Sequence, residues 1–424
     1  MRTHSLSRKV RQLNSQVGNV DVIGPGTENT SATCHCVGRL RTTSAAEPSD
    51  RPSCHTTKLL NLSSGLHFAA VVLSLTLLPI LSGRLSAQDS KFAVTDLAKV
   101  DADYHDQGEY VGPIRLDGCQ CEVGLQVVAL GHGKFDALLY RGGLPGNGYD
   151  YSRPRKLSGS RSEDKVQLAG QGLNVILQTG YAAVVKNSGG ERLGFLQPIK
   201  RHSPTIDAKP PENAIVLFDG QNIDRLQNAK ITSDGLLEVG GETKEAYRNF
   251  TLHAEFRTPY MPYARGQDRG NSGFYLQKRY EVQVLDSFGL DPQFNDCGAL
   301  YKFKAPDLNM SFPPLRWQTY DISFAAPTFA SNGCRVCKGR ITVRHNGVLI
   351  HNQVVLENKT GGGSPEGLNP LPILFQNHGN PVNFRNIWLV DAGADCACRA
   401  PSFTAGTCDQ ACNNVFRRRH LFKR

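Results

Sequence analysis

The chain has 424 residues, of which 39% are hydrophobic and 20% charged, and this composition excludes a collagen, a coiled coil and a protein with many membrane spans. Its net charge of +10 is concentrated at the two ends, since residues 1–60 carry eight basic and four acidic side chains and residues 392–424 carry six and two. The remaining 331 residues carry only +2, so we expect no nucleic-acid partner.

An uncharged apolar segment near the start of the chain is typical of a signal peptide. Residues 59–83 contain no charged side chain, Lys58 precedes them, and the small residues Ser86 and Ala87 follow. An uncleaved membrane segment is the alternative, but the apolar core contains Pro79 and is shorter than the roughly 20 residues of a membrane span. We assign residues 58–87 to a signal peptide and expect an exported protein that is periplasmic, envelope-associated or extracellular. Residues 1–57 form a disordered leader or precede the true start.

Nine of the twelve cysteines follow the predicted cleavage site, and eight of these form close pairs. In an oxidising compartment this pattern favours disulfides of undetermined connectivity over a structural zinc site, because a single C-x-x-C is not followed by a second. The ninth, Cys297, stands alone. The close pairs are Cys119/Cys121, Cys334/Cys337, Cys396/Cys398 and Cys408/Cys412.

Residues 106–200 predict a small all-β module. Short apolar runs separated by glycine-rich turns are typical of strands, and no residues in the module have catalytic spacing, so we interpret it as an accessory module. The predicted strands are 125–130, 135–140, 174–177, 181–185 and 193–196. Residues 201–212 follow as a linker with three prolines and little to bury.

Residues 213–391 predict a longer β-rich domain. Apolar and polar residues alternate in 251–257, 280–285 and 317–324, as in strands with one buried face. The dipeptide Asn346-Gly347 separates two further runs, 340–345 and 348–351, and is the preferred turn of a type I′ hairpin. Many short strands with almost no helix predict an antiparallel sandwich or jelly roll, whose concave face can hold a ligand.

A series of motifs in this domain carries a family resemblance. The motifs are 215–220, 250–256, 269–276, 279–286, 297–301, 317–321, 345–348, 375–379 and 384–388. Together they resemble the bacterial 3-keto-disaccharide hydrolase family, also described as 3-keto-α-glucoside 1,2-lyase and 3-keto-2-hydroxyglucal hydratase. The resemblance implies a concanavalin-like, laminin-G-like jelly roll that acts on sugars already oxidised at the third carbon. It implies cleavage by base-assisted elimination and hydration, with net hydrolysis and no nicotinamide. The Cys-rich basic tail, 392–424, lies outside it.

This chemistry requires an acid and a base on one surface, and alternation selects the candidates. In Tyr280-Glu-Val-Gln-Val-Leu285, Glu281 and Gln283 share one face while the apolar residues share the other. Gln376 and His378 likewise share a face of the run 374–378. We therefore predict Glu281 and His378 as catalytic residues, with Gln283 and Gln376 as substrate-binding residues. The alternative roles are a solvent-facing glutamate and a histidine that caps a turn.

Further candidates for substrate binding come from positions within the family motifs. Arg269 and Asn271 flank a glycine, which lets a ligand approach the backbone, and Arg385 offers a fixed fork of donors on the opposite strand face from Trp388. Tyr301 is a candidate for sugar stacking, with a buried core tyrosine as its alternative. We expect Trp317 and Trp388 to pack between the sheets.

Two other functions stay open at the level of sequence. The first is a non-catalytic carbohydrate-binding module, because the same fold serves both purposes. The second is a laminarinase-like retaining glycoside hydrolase, which would pair Glu281 with Asp286 and needs a bulge between them. No cofactor motif is present, and a divalent metal held by Glu281, Asp286 and His378 is left undecided. The expected partner is a carbohydrate, and the sequence says nothing of the oligomeric state.

Overall fold

A computed structural model describes residues 91–393 of the chain. The predicted leader 1–57 and signal peptide 58–87 lie outside this range, as does the tail from residue 394 onward. Among the described residues, no helix combines the length and apolar character that a membrane crossing requires.

The first module is a closed antiparallel barrel of eight strands in sequence order, in which β1 pairs with β8. A one-turn helix, α1 (Ala102–Asp106), precedes it, with Asp101 as the N-cap. The strands are β1 (Gly108–Leu116), β2 (Cys119–Gly131), β3 (Lys134–Arg141), β4 (Arg155–Ser162), β5 (Lys165–Gly170), β6 (Leu173–Gln178), β7 (Ala183–Asn187) and β8 (Arg192–Ile199).

Side chains fill the inside of this barrel. Alternate residues such as Val123, Leu125 and Val127 of β2 are fully buried and form one cluster with those of the other strands. Three of the eight strands, β1, β4 and β5, are missing from the sequence prediction. In β4 the buried face is carried mainly by Leu157, and its neighbours are Arg, Lys, Ser and Gly, so the strand lacks an apolar run.

The second module is a sandwich of two sheets, which confirms the predicted jelly-roll class. Its strands are β9 (Ile215–Phe218), β10 (Leu226–Gln227), β11 (Leu237–Glu238), β12 (Glu242–Thr243), β13 (Asn249–Arg257), β14 (Ser272–Leu276), β15 (Tyr280–Val284), β16 (Gln318–Ala325), β17 (Thr328–Phe329), β18 (Arg335–Cys337), β19 (Gly339–His345), β20 (Val348–Leu356), β21 (Leu374–Phe375) and β22 (Asn383–Asp391). One sheet has five strands in the order β10-β12-β21-β14-β15, and we call it the small sheet. The other has seven strands in the order β11-β22-β13-β16-β19-β20, with β9 beside β22, and we call it the large sheet. Strands β17 and β18 form a separate pair.

The predicted hairpin is confirmed. His345 pairs with Val348, and Asn346 and Gly347 both have the positive φ that a type I′ turn requires.

The core of the sandwich lies between the two sheets. Residues Phe274 and Leu276 of β14 and Val282 of β15 meet Leu252 and Phe256 of β13 in one buried cluster. Since side chains alternate along a strand, the residues between these positions face outward from each sheet. Both outward faces carry buried polar residues, and these faces contain the groups considered below.

The segment 201–212 packs against the large sheet, although the sequence predicted a linker with little to bury. Ser203 is buried and its hydroxyl lies 2.6 Å from that of Thr319, while the Thr205 hydroxyl donates to Asp321. The Asp207 backbone N–H donates to Glu255 at 2.6 Å. The prolines shape this segment, but its hydroxyls and backbone groups bind polar residues on the sheet.

Barrel and sandwich also share packing. Tyr260 and Leu315, from loops of the second module, belong to the buried cluster of the barrel. The backbone of Tyr260 forms two hydrogen bonds with Val94, and its hydroxyl donates to Asp101. These contacts join the two modules directly rather than through residues 201–212 alone.

The described cysteines leave the disulfide prediction open. Cys121 carries a free thiol, as does Cys297, which is buried 3.2 Å from the Tyr320 hydroxyl. Cys119 and Cys121 lie on one strand, where Cα atoms two residues apart are about 6.6 Å apart, near the upper limit for a disulfide. Cys396, Cys398, Cys408 and Cys412 lie outside the described residues.

Candidate functional site

A buried carboxyl group lies on the outer face of the small sheet. Glu281 is in β15, whose other residues alternate as predicted: Tyr280, Val282 and Val284 face the core. The side chain is only 1% exposed, and its Oε2 atom has no hydrogen-bond partner within the described residues. A buried carboxylate oxygen without a donor is unfavourable for folding, so it marks a site whose chemistry differs from structural packing.

The environment of Glu281 alters its acidity. Burial raises the pKa of its carboxyl group from 4.5 to about 7, and a hydrogen bond with Tyr275 opposes that rise. Burial, with the negative charge of Glu281 next, raises the pKa of the Tyr275 hydroxyl far above its usual value, so that hydroxyl remains a donor. Because its pKa lies near neutral pH, Glu281 can both accept and return a proton.

Amide groups surround this carboxyl group. Gln283 satisfies its neighbours when its amide nitrogen faces the Ser272 carbonyl at 2.8 Å and Glu281 Oε1 at 3.0 Å. Gln376 Nε2 lies 3.4 Å from the Tyr275 hydroxyl, and Gln376 Oε1 is a second buried oxygen without a donor among the described residues. Two unpaired acceptors on one face suit a ligand rich in hydroxyl groups.

Glycines provide the space around these groups. A Cβ atom at Gly273, which pairs with Gln283 across the strands, would lie 2.4 Å from Glu281 Oε1 and displace the carboxyl group. A Cβ atom at Gly362 would lie 2.4 Å from the Tyr275 hydroxyl. The segment 360–363 is attached to the edge of β15, since the Glu281 N–H donates to the Thr360 hydroxyl at 2.8 Å.

Asn271 and Tyr301 lie beside this face. The Asn271 side chain donates to the Gln267 carbonyl at 2.7 Å, and its backbone N–H donates to Asn380 at 2.7 Å. Tyr301 is half-buried rather than part of the core, and its ring packs against Gly361, with the Lys302 ammonium 5.4 Å from its centre. Its backbone N–H donates to the Glu281 carbonyl. The structure therefore brings Glu281, Gln283, Gln376, Asn271 and Tyr301 together.

His378 is exposed on the loop that follows β21, and no hydrogen bond between it and Glu281 is present in the described residues. Its loop is fixed on both sides, because the Gln376 N–H donates to the Gly273 carbonyl and Asn380 accepts from Asn271. The imidazole ring is exposed and forms no hydrogen bond with any residue in 91–393. A role as acid or base for His378 stays a prediction.

Arg269 does not reach this face, contrary to the substrate-binding prediction. Its Nε donates to Asp286 Oδ2 at 2.7 Å, and both residues line a cavity at the barrel. The positive φ of Gly270 turns the backbone between Arg269 and Asn271, so the Arg269 side chain lies at the cavity and the Asn271 side chain lies beside the Glu281 face. The retaining-hydrolase alternative loses its support, since Asp286 is paired with Arg269 and lies five residues, roughly 16 Å of extended strand, from Glu281.

Arg385 lies on the outer face of the large sheet, away from Glu281. It pairs with Glu255 at 2.7 Å and Asp207 at 2.8 Å. The prediction that Arg385 and Trp388 occupy opposite faces is wrong, because three residues of β22 span two of β13 and Asn386 adopts a positive φ. This bulge shifts the alternation by one residue.

The prediction that Trp317 and Trp388 pack between the two sheets is also wrong. Trp388 stacks on the His253 ring at 5.0 Å and donates to the Ala208 carbonyl, outside the sandwich core. Trp317 lies under the guanidinium groups of Arg257 and Arg385, at 5.1 and 4.4 Å. Both rings cover polar groups instead of filling the space between the sheets.

The described residues contain no group of three or more histidine, cysteine, aspartate or glutamate side chains placed to hold a metal ion. The trio Glu281, Asp286 and His378 is therefore not assembled in residues 91–393. The three residues have separate surroundings: buried beside Tyr275, paired with Arg269, and exposed on a loop.

Comparison with known families identifies the second module. Residues 213–390 match the family model of the 3-keto-alpha-glucoside-1,2-lyase-like domain. The chain belongs to this family. The chain is therefore a carbohydrate-active protein. The limits of the 3-keto-alpha-glucoside-1,2-lyase-like domain coincide with those of the sandwich and exclude the barrel.

Solved structures from Parabacteroides distasonis, each named "putative glycosyl hydrolase", are similar to the 3-keto-alpha-glucoside-1,2-lyase-like domain. One is 33% identical, with 42% of this chain and 84% of that chain covered and a TM-score of 0.39. A second is 18% identical, with 43% and 95% covered and a TM-score of 0.32. A third is 23% identical, with 42% and 98% covered and a TM-score of 0.30. No curated protein matches the chain.

The sequence prediction missed Tyr275 as a member of the site. Its position was accessible in principle, because Gly273 and Tyr275 alternate with the apolar Phe274 and Leu276 in the same motif. Pairing of Tyr275 with Glu281 across β14 and β15 then places its hydroxyl beside the carboxyl group. The segment 360–363 carried no comparable signal.

Proposed function

We propose that the sandwich cleaves 3-keto-glycosides by elimination followed by hydration, with Glu281 as the base. The observation that supports this most directly is the buried Glu281 Oε2 atom, which has no hydrogen-bond partner in residues 91–393 and belongs to a carboxyl group with a pKa of about 7. Removal of the C2 proton beside a C3 ketone requires such a base, and general-base catalysis typically contributes roughly 10²–10⁴ in rate.

The proposed first step breaks two bonds. Glu281 takes the C2 proton, and the electron pair forms an enolate with the C3 carbonyl group. The C1–O bond then breaks, C1 and C2 become doubly bonded, and the leaving oxygen takes a proton. We assign that proton to His378, because it is an exposed titratable residue on the loop that directly follows Gln376.

The second step restores both groups. Water adds to C1 and its released proton returns to His378. Glu281, whose proton exchanges with solvent after the leaving group departs, then protonates C2. The net reaction is hydrolysis, and no oxidant enters because the substrate is already a ketone. In this proposal a sugar hydroxyl group donates to Gln376 Oε1, the other buried acceptor without a donor among the described residues.

The test uses the mature chain with 3-keto-trehalose in D₂O, and trehalose as the matched control. Elimination and hydration place a deuteron on C2 of the released 3-keto-glucose, and only the keto substrate reacts. Free 3-keto-glucose incubated without protein corrects for spontaneous exchange. A released sugar with protium at C2, or release from trehalose itself, contradicts the proposal and supports ordinary hydrolysis.

Further arms separate the alternatives. Binding of sugar without release contradicts cleavage and leaves a carbohydrate-binding module. A chelator arm decides whether a divalent metal participates. For His378→Ala, we expect a larger rate loss with 3-keto-trehalose than with 3-keto-p-nitrophenyl glucoside, because a nitrophenolate leaves without a proton. Equal losses would contradict the role of His378 as the acid.

Export through residues 58–87 is part of the proposal, since the substrate would then be met outside the cytoplasm. N-terminal sequencing of protein recovered from the host envelope or medium tests it. A mature N-terminus just after Ala87 is the expected result.

A further inference from the structure

A cavity of about 390 Å³ lies where the barrel meets the sandwich. Strands β2, β3 and β4 form one wall, and the segments 265–269 and 286–291 form the other. Its surface is mainly apolar and includes Val128, Leu138, Phe288 and Leu290. This volume is within the range of small-molecule sites in proteins. Glu281 is not among the lining residues, so the cavity is separate from the proposed catalytic face.

Arg269 supplies an unsatisfied donor to this cavity. The residue is only 5% exposed, its Nε donates to Asp286, and its Nη1 donates to the Ala129 carbonyl at 3.4 Å. The Nη2 atom has no acceptor within the described residues. A buried donor of this kind is unfavourable unless an acceptor meets it, and a cavity-lining guanidinium can be met by a ligand.

The charges around the cavity balance. Three cationic side chains, Lys156, Arg265 and Arg269, face three aspartates, Asp136, Asp286 and Asp291. Lys156 pairs with Asp291 at 2.9 Å, and Arg265 donates to the Leu130 carbonyl at 2.8 Å. With no net charge and its other cations engaged, the cavity is not suited to an anion. What it offers is an apolar volume and one buried N–H donor group.

We propose that this cavity binds a small uncharged molecule with an apolar body and a carbonyl oxygen that accepts from Arg269 Nη2. The two modules form the site jointly, so neither the barrel nor the sandwich would bind the molecule alone. This gives the barrel a role in ligand recognition, and it reassigns Arg269 from the sugar to a second ligand.

Two probes of nearly the same shape test the acceptor requirement. Acetophenone carries a carbonyl oxygen, and α-methylstyrene replaces it with a methylene group. We expect acetophenone to bind the full mature chain with a Kd of about 1 mM or tighter, and at least tenfold tighter than α-methylstyrene, by ligand-observed NMR titration. No binding of acetophenone, or equal binding of both probes, would overturn the proposal.

A pair of variants locates the binding. Ser158 is an exposed residue of β4 that lines the cavity, so Ser158→Trp fills the volume without disturbing the barrel core. Ser160→Trp is the matched control, because Ser160 is exposed on the same strand and face but does not line the cavity. We expect at least a tenfold loss of acetophenone affinity in the first variant and none in the second. Unchanged affinity in Ser158→Trp refutes this location, and thermal unfolding of both variants verifies that they are folded.

Discussion

The outer faces of the two sheets each contain a buried glutamate, and the two glutamates differ in their partners. Glu255 on the large sheet is fully buried and accepts hydrogen bonds from Arg385, Asn386 and the Asp207 backbone. Glu281 on the small sheet is 1% exposed, and one of its oxygens has no donor in the part of the chain that the structure describes. The two glutamates are therefore almost equally buried but differ in their hydrogen bonds. We call the outer face of the large sheet, with Glu255, the complete face, and that of the small sheet, with Glu281, the open face.

The pKa values of these carboxyl groups move in opposite directions for this reason. Burial alone would raise the pKa of Glu255, but the neighbouring His253, Asn386 and Arg385 hold it below its usual value. Burial of Glu281 is opposed only by Tyr275, and its pKa rises to about 7. The number of neighbouring hydrogen-bond donors and cations, rather than the extent of burial, distinguishes a structural carboxylate from one that can act as an acid or base.

The largest expected effect is on catalysis at the open face. Glu281→Gln keeps the shape of the side chain but removes the base, so we expect kcat/KM for 3-keto-trehalose to fall by roughly 10²–10⁴. Steady-state kinetics with equal amounts of folded protein measures it. A loss of less than tenfold would mean that Glu281 is not the base and that the two glutamates do not differ in function.

The next effect concerns stability at the complete face. Glu255→Ala leaves Arg385 without one of its two carboxylate partners and removes one of the two acceptors of the Asn386 amide nitrogen, so we expect the unfolding free energy to fall by about 3–5 kcal/mol. Urea unfolding at pH 7 tests this. Activity per folded molecule should stay within about threefold of the wild type. Unchanged stability would show that the hydrogen-bond network does not hold this face.

A smaller expected effect is the pH dependence of the unfolding free energy that the raised pKa of Glu281 produces. The folded pKa of Glu281, about 7, lies above the 4.5 of an unperturbed glutamate, so its stabilising contribution is complete below pH 4.5 and is lost as pH rises through 7. Glu281→Gln removes this loss, and we expect the variant to be up to about 3 kcal/mol more stable than the wild type at pH 8. Near pH 4.5 the difference should vanish.

Urea unfolding at the two pH values measures the difference, and the comparison has an internal reference. The pKa of His253 is raised by Asp321 and Glu255 against the effect of burial. Its contribution also declines as pH rises through its folded pKa, but it does so equally in the wild type and in Glu281→Gln. A variant that is no more stable at pH 8 would contradict the raised pKa of Glu281.

The smallest effect concerns the tuning of the base. Tyr275→Phe removes the hydrogen bond that lowers the pKa of Glu281, so we expect the pH at half-maximal kcat/KM to move upward by about one unit. A pH–rate profile between pH 5 and 9 measures it. A merely structural role for Tyr275 would lower the rate at every pH without moving the midpoint.

Alternation within strands was sufficient to predict one of the two faces. In β15, Glu281 and Gln283 lie opposite the apolar residues without interruption, and the sequence prediction placed both correctly. In β22, the bulge at Asn386 inverts the alternation between Arg385 and Trp388, and a simple period of two gives the wrong face. Such irregularities depend on the partner strand, which is distant in sequence.

The contrast between the two glutamates could not be predicted from sequence. Both lie in alternating strands, and each has a carboxyl group on the polar side of the pattern. The hydrogen bonds of Glu255 are completed by residues 203–208, which pack against the large sheet. The prolines and polar residues of this segment predicted a linker. Tertiary contacts of this kind, and the pairing of Arg269 with Asp286, depend on the three-dimensional arrangement of distant segments.

The docked segment 201–212 also bears on where a domain of this protein ends. The family match begins at residue 213, yet the side chains and backbone groups that seal the large sheet come from the residues before it. A fragment cut at the start of the family match would expose Glu255, Asp321 and Thr319 to water at once. The segment that matches the family and the segment needed for a stable sandwich therefore begin at different residues. A recombinant sandwich should begin no later than Arg201.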